Sequence, residues 1–110
     1  MDFLVYEIPF KYHERMYCNM VVIVKSGGDF VFAFKIKKHC DKITESELKH
    51  CFKINDLEQT GLKDEAYIDT AKAYLVNDLF SVFEWEFRNN KPIGELSVDD
   101  KLRFLEFLNN

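Results

Sequence analysis

Residues that break or staple a chain are scarce in this 110-residue sequence. It holds only four glycines and two prolines, too few for a collagen-like or low-complexity chain. No apolar run approaches the ~18 residues that carry a helix across a bilayer, so a transmembrane helical protein is excluded. Cysteine is sparse: Cys18, Cys40 and Cys51 form no C-x-x-C pair, and three thiols cannot all pair internally. Asp2 and Glu7 stand where a secretory leader carries Lys or Arg. The expectation is therefore reduced thiols in a cytoplasmic protein with no membrane association. Basic charge is not in excess either. Fifteen Lys and Arg against 19 Asp and Glu leave a net −4, which does not make the whole surface attractive to nucleic acid.

Aromatic bulk, by contrast, is plentiful. Eleven Phe, five Tyr and one Trp in a chain that is 47% hydrophobic and 31% charged supply one compact core, and the length leaves no room for a second. Residues 1–110 therefore read as a single domain. The charge is unevenly spread. Residues 1–55 carry nine Lys/Arg and seven Asp/Glu, net +2, whereas residues 56–110 carry six and twelve, net −6. The excess lies in Lys35, Lys37, Lys38, Lys42, Lys49 and Lys53, with His39 and His50 nearby. A local basic face can bind phosphates on an acidic protein, because screening confines distant charge to ~8–10 Å. A solvated charged face is the simpler reading of the same residues.

Short β-rich runs dominate the pattern. Phe3 to Phe10 predicts a first strand that stops at a bend near Pro9, and Lys11 to Asn19 reads as a loop. Met20 to Val24 and Phe30 to Ile36 flank Gly27-Gly28 and predict a hairpin. Both runs are nearly continuous in apolar residues, so the hairpin is expected to be buried on much of both faces. Thr44 and Glu47 have capping-box spacing, fitting one helical turn or an ordered loop. Cys51 to Ile54, Ala66 to Ile68 and Ala73 to Val76 read as short strands, and residues 79–87 as a short helix. Ser97 and Asp100 then announce a C-terminal amphipathic helix, with Val98, Leu102, Leu105 and Asn109 on one side and Phe104 beside them. Many short strands followed by a helix suggest a small barrel.

Four motifs, in order, resemble the PemK/MazF-like toxin family. They are Phe52-Lys53-Ile54-Asn55-Asp56-Leu57, Thr60-Gly61-Leu62-Lys63, Tyr67-Ile68-Asp69-Thr70, and Lys91-Pro92-Ile93-Gly94-Glu95-Leu96-Ser97 with Asp100. Phe30 to His39 and Phe3 to Phe10 fit the family's preceding strands. The resemblance implies a mainly β, SH3-like barrel with a C-terminal helix (α+β), usually a homodimer, acting as the toxin of a type II toxin–antitoxin pair. It also implies an antitoxin partner and cleavage of single-stranded RNA without metal or other cofactor, through attack of a ribose 2′-hydroxyl on the adjacent phosphate. An Arg-Pro step and a Thr-Ser step carry that chemistry in the family. Here they fall on Cys18-Asn19 and Lys37-Lys38.

The residues left for phosphate chemistry are Arg15, as the charge that stabilises phosphate, and His13, as acid or base. Lys35, Lys37, Lys38 and His39 are candidates for contact with the RNA backbone. An inactive interaction or inhibitor protein, holding a macromolecular partner through the basic loop, is the alternative. The repeated tripeptides Lys38-His39-Cys40 and Lys49-His50-Cys51 do not suit zinc, because adjacent residues on a strand point to opposite faces; chance or core packing of the cysteines accounts for them better. Trp85 and its neighbouring Phe residues read as core or dimer face, with base stacking a lesser option.

Overall fold

The computed structural model describes residues 1–38, 43–75 and 91–109. Six strands, β1 (Asp2–Tyr12), β2 (Arg15–Ser26), β3 (Asp29–Lys38), β4 (Cys51–Lys53), β5 (Ala66–Leu75) and β6 (Gly94–Glu95), form one sheet in the order β4-β5-β3-β2-β1-β6. Each pairing is antiparallel. Helix α1 (Glu45–Leu48) and helix α2 (Val98–Leu108) complete the described elements.

The sheet curls round a core built by strict alternation. Phe3 and Val5 of β1, Val22 and Val24 of β2, Phe34 and Ile36 of β3, Phe52 of β4, and Ala66 and Ile68 of β5 all face it. Register irregularities fall between Val24 and Lys25 and between Ala33 and Lys35, and such bulges bend a strand and raise its twist. The central strands have a second apolar face, where Tyr6, Ile8, Val21, Ile23 and Ala33 are buried, with Leu4 and Tyr74 packed beside them. The expected two-sided burial of the Gly27-Gly28 hairpin is thus present.

Helix α2 closes the concave side. Ser97 caps it by accepting from the Asp100 N–H at 3.1 Å, as the Ser-x-x-Asp spacing predicts. The buried side of the helix differs from the expected stripe. Val98 and Leu102 are 71% and 57% exposed, whereas Phe104 is fully buried. The Phe104 ring meets Phe3, Phe34 and Phe52 with centroids 5.6, 5.6 and 5.2 Å away. Asp100 also turns inward: its carboxylate accepts from the N–H groups of Asn55 and Asp56 at 3.1 and 2.8 Å and from Arg103 at 3.2 Å. That polar anchor and the Phe104 ring set the rotation of the helix, and the aliphatic residues at Val98 and Leu102 are left outside.

Three other expectations are corrected. Residues 11–19 are no loop. β1 pairs with β2 as far as Tyr12 opposite Arg15, and only His13 and Glu14 turn, both with positive φ (49° and 64°), as a tight two-residue hairpin turn requires. β1 also continues through Pro9, which lies opposite Cys18; a proline is tolerated in a strand where its missing N–H would point away from the partner. The runs at Ala66 to Ile68 and Ala73 to Val76 belong to one strand, β5, as far as Leu75. Thr44 caps α1 by accepting from the Glu47 N–H at 3.3 Å, so that segment is a helical turn. The helix expected over 79–87, Trp85, His39, Cys40 and Lys42 lie outside the described residues.

Candidate functional site

The concave core ends in charge. Along β1 the inward positions run Phe3, Val5, Glu7; along β2, Val24, Val22, Met20; along β3, Phe34, Ile36, Lys38. Where these rows leave the shelter of α2, a cavity of about 280 Å³ opens. Met20, Leu62, Ala66 and Ile93 give it apolar walls, and Glu7, Lys38, Lys63 and Asp64 bring two carboxylates and two ammonium groups. Among the described residues, Glu7, Lys63 and Asp64 make no ion pair or side-chain hydrogen bond. Charged groups such as Glu7, Lys63 and Asp64 round an apolar hollow suit a ligand with an apolar body and polar edges.

The loop over this cavity is placed by two backbone approaches. Thr60 is fully buried; its hydroxyl donates to the Leu57 carbonyl at 2.6 Å and accepts from the Leu62 N–H at 3.1 Å. Gly61 has φ +76°, and a Cβ there would lie 2.6 Å from the Ile93 carbonyl oxygen. Gly94 faces the same junction, where a Cβ would stand 2.2 Å from the Gln59 carbonyl oxygen. The Glu95 N–H donates to that same oxygen at 2.9 Å. The Thr60-Gly61-Leu62-Lys63 motif and the Ile93-Gly94-Glu95 motif, 30 residues apart in the chain, are therefore one packing unit, and Lys63 and Asp64 leave it at the cavity rim.

The residues expected to act on RNA are dispersed. His13 and Arg15 are exposed at the turn of the β1–β2 ribbon. The β2–β3 pairing ends at Val21 opposite Lys35, and Arg15 lies six residues beyond Val21, roughly 20 Å along the strand at ~3.3 Å per residue. Lys35 and Lys37 project from the convex face and Lys38 from the concave one, as alternation dictates. Lys35 sits over the Tyr74 ring, 5.6 Å from its centroid. Lys37 binds Glu47 at 2.8 Å and Asp69 at 3.4 Å, and Lys53 binds Glu65 at 3.1 Å. Of the expected set, Lys38 alone lines the cavity, and His39 is outside the described residues. Residue-by-residue reading missed Glu7 and Lys63. The signal for Glu7 was an acid at an inward position of an alternating apolar strand, Phe3-x-Val5-x-Glu7.

The Lys37 ion pair ties α1 to the convex face and has a pH signature. The hydrogen bond from Lys37 holds the Glu47 carboxyl below its ordinary 4.5, and Lys37 is in turn raised above 10.5, chiefly by the same bond. A carboxyl depressed on folding stabilises above its unfolded pKa, and that contribution is lost as pH falls through its lower folded value. Glu47→Gln is therefore expected to lower Tm by no more than a few degrees at pH 7, as suits an exposed pair. The wild-type and variant curves should converge as pH falls below about 4. Thermal melts from pH 2.5 to 7 check this. Cys51, on the same face, is buried, and burial foremost pushes its thiol pKa up, which suits packing rather than nucleophilic chemistry.

The architecture defines the class: a mainly β protein, one curled antiparallel sheet closed by a C-terminal helix. Neither protein-family models, nor curated proteins, nor solved structures match this chain.

Proposed function

We propose that this chain is a toxin-type SH3-like barrel of the PemK/MazF-like group that binds single-stranded RNA in the cavity flanked by Lys38 and Lys63, and binds it without cutting. The observation that carries this reading is the cavity itself. Its volume is near the ~300 Å³ lower bound of small-ligand pockets, part of its wall is apolar, and Lys38 and Lys63 line it together. A base seats against Met20, Leu62 and Ile93, while an ammonium group at the rim meets the phosphate that follows. Only unpaired bases can enter such a recess, which favours single strands over duplex. The packing of Gly61 against Ile93 and of Gly94 against Gln59 and Thr60 supports the family resemblance, because it gives two distant motifs one physical purpose.

Binding is favoured over cleavage by the same geometry. The family's Arg-Pro and Thr-Ser steps fall on Cys18-Asn19 and Lys37-Lys38. Lys37 is committed to Glu47 and Asp69 on the convex side. Arg15 and His13 stand together at the ribbon turn, but neither lines the cavity that seats the RNA, so the acid–base pair and the bound phosphate are not brought to one point.

Fluorescence anisotropy with a labelled single-stranded RNA heptamer tests the reading. Wild-type protein is expected to bind more weakly as salt rises. Lys63→Ala is expected to reduce the slope of log K against log salt by about 0.7, the loss of one phosphate contact on a single strand. Incubation with the same RNA in EDTA is expected to leave it intact, with no 2′,3′-cyclic ends. Binding that is absent, or that Lys63→Ala leaves unchanged at every salt concentration, overturns the site. Cleavage that Arg15→Ala abolishes overturns the non-cutting part.

A further inference from the structure

We infer that the cavity reads a guanine base, with the Glu7 carboxylate accepting from the guanine N1–H and N2–H and the Lys38 ammonium donating to O6. This inference rests on the single-strand RNA reading above and names the base that reading leaves open.

The argument is one of matching edges. Glu7 and Lys38 come from strands β1 and β3 and face the same cavity at the ends of two inward rows. Strand-borne groups hold their positions better than groups on loops, so these two, rather than Asp64 and Lys63 of the loop, set the polar pattern of the recess. The pattern is two adjacent acceptor oxygens from β1 and a cluster of donors from β3, on the lining of one cavity. Guanine presents its complement along one edge: two neighbouring N–H donors followed by a carbonyl acceptor. Adenine and cytosine each place a lone-pair ring nitrogen beside their amino group, which would set an acceptor against the second carboxylate oxygen. Uracil offers a single N–H between two carbonyls, one of which would face Glu7. A paired, charge-assisted contact of this kind is both stronger and more orientation-dependent than a single neutral hydrogen bond. Because Glu7 makes no ion pair or side-chain hydrogen bond among the described residues, guanine need not displace one there.

The experiment compares heptamers of uridine that carry guanosine, adenosine, cytidine or inosine at the central position, alongside the all-uridine strand, by anisotropy at fixed salt. The guanosine strand is expected to bind about tenfold more tightly than the others, within the range for one bidentate base contact. Inosine, which keeps N1–H and O6 but lacks the N2 amine, is expected to fall between guanosine and adenosine. Glu7→Gln is expected to bring the guanosine preference to within about twofold. Equal binding of all five strands by wild-type protein overturns the inference and leaves RNA binding standing, as does a guanosine preference that survives Glu7→Gln. Binding of none of the strands overturns the RNA reading itself. The guanosine–inosine comparison needs only the wild-type chain, so the inference stays testable even if the variant folds poorly.

Discussion

Phe104→Ala is expected to cost about 3–5 kcal/mol of folding stability, the usual range for truncating a buried aromatic. Phe104 is fully buried, and its ring is where the helix, β1, β3 and β4 meet: Phe3 and Phe34 present edges at steep interplanar angles, 77° and 86°, and Phe52 lies tilted against it. Removing the ring empties space bounded by three other aromatics and deletes contacts in four elements at once. Stacked strands cannot slide in to fill it, because their spacing is set by backbone hydrogen bonds. A loss of that size takes a large share of the ~5–15 kcal/mol typical of a domain. It should lower Tm by roughly 15–30 °C, or leave the chain unfolded at 37 °C. Thermal and urea melts followed by circular dichroism give the value. Phe104→Leu, which keeps most of the apolar volume, is expected to lose much less. Equal losses for the two variants would mean that the ring does not fill the core as described.

Gly94→Ala is expected to cost about 3 kcal/mol or more, at the upper end of what one inserted methyl group does in a packed interior. The added Cβ would meet the Gln59 carbonyl oxygen at 2.2 Å and the Thr60 carbonyl carbon and oxygen at 2.4 and 2.5 Å. All three are backbone atoms, so no flexible side chain can swing aside. Either β6 leaves β1, where it pairs at Leu4–Glu95 and Val5–Gly94, or the 59–62 loop lifts away. Both movements also disturb the cavity rim at Lys63 and Asp64. If the cavity seats single-stranded RNA as proposed, the variant should therefore lose affinity for it even at a temperature where circular dichroism shows it folded. An alanine variant that melts within a degree of wild type would refute this junction.

Much of the fold was legible along the chain, for local reasons. The Gly27-Gly28 turn between β-branched runs, the Thr44 cap and the Ser97 cap all rest on contacts between residues close in sequence, and each is present. The ribbon at residues 9–19 was not legible. Its sequence is polar and aromatic, which resembles a loop in composition, and only pairing across a turn at His13 and Glu14 makes it two strands. The orientation of α2 was legible only in part, for a related reason: Leu105 packs against the core as the stripe expects, but Val98 and Leu102 do not. Val98, Leu102 and Leu105 form a plausible stripe in isolation, but burial of Phe104 and the inward carboxylate of Asp100 depend on Asn55, Asp56 and the rings of three separate strands.

The site followed the same division. Arg15 and His13 attract notice because Arg and His are the residue types that phosphate chemistry uses, yet type says nothing of place. Lys37 and Lys38 are neighbours in the chain and opposites in space: one is held by Glu47 and Asp69 on the convex face, the other lines the cavity. Glu7, which no motif marks, gains its importance from sharing that cavity with Lys38.

By itself, then, the sequence determined a β-rich fold with a capped C-terminal helix, because hydrophobic alternation, turns and caps act over a few residues and can be read there. Only the tertiary structure decided which face of each strand is inside, which lysines are neutralised, and which charges share one hollow. Those outcomes depend on pairing register and on backbone packing between segments tens of residues apart, such as Gly61 against Ile93 and Gly94 against Gln59, and a linear pattern carries no distance between such segments.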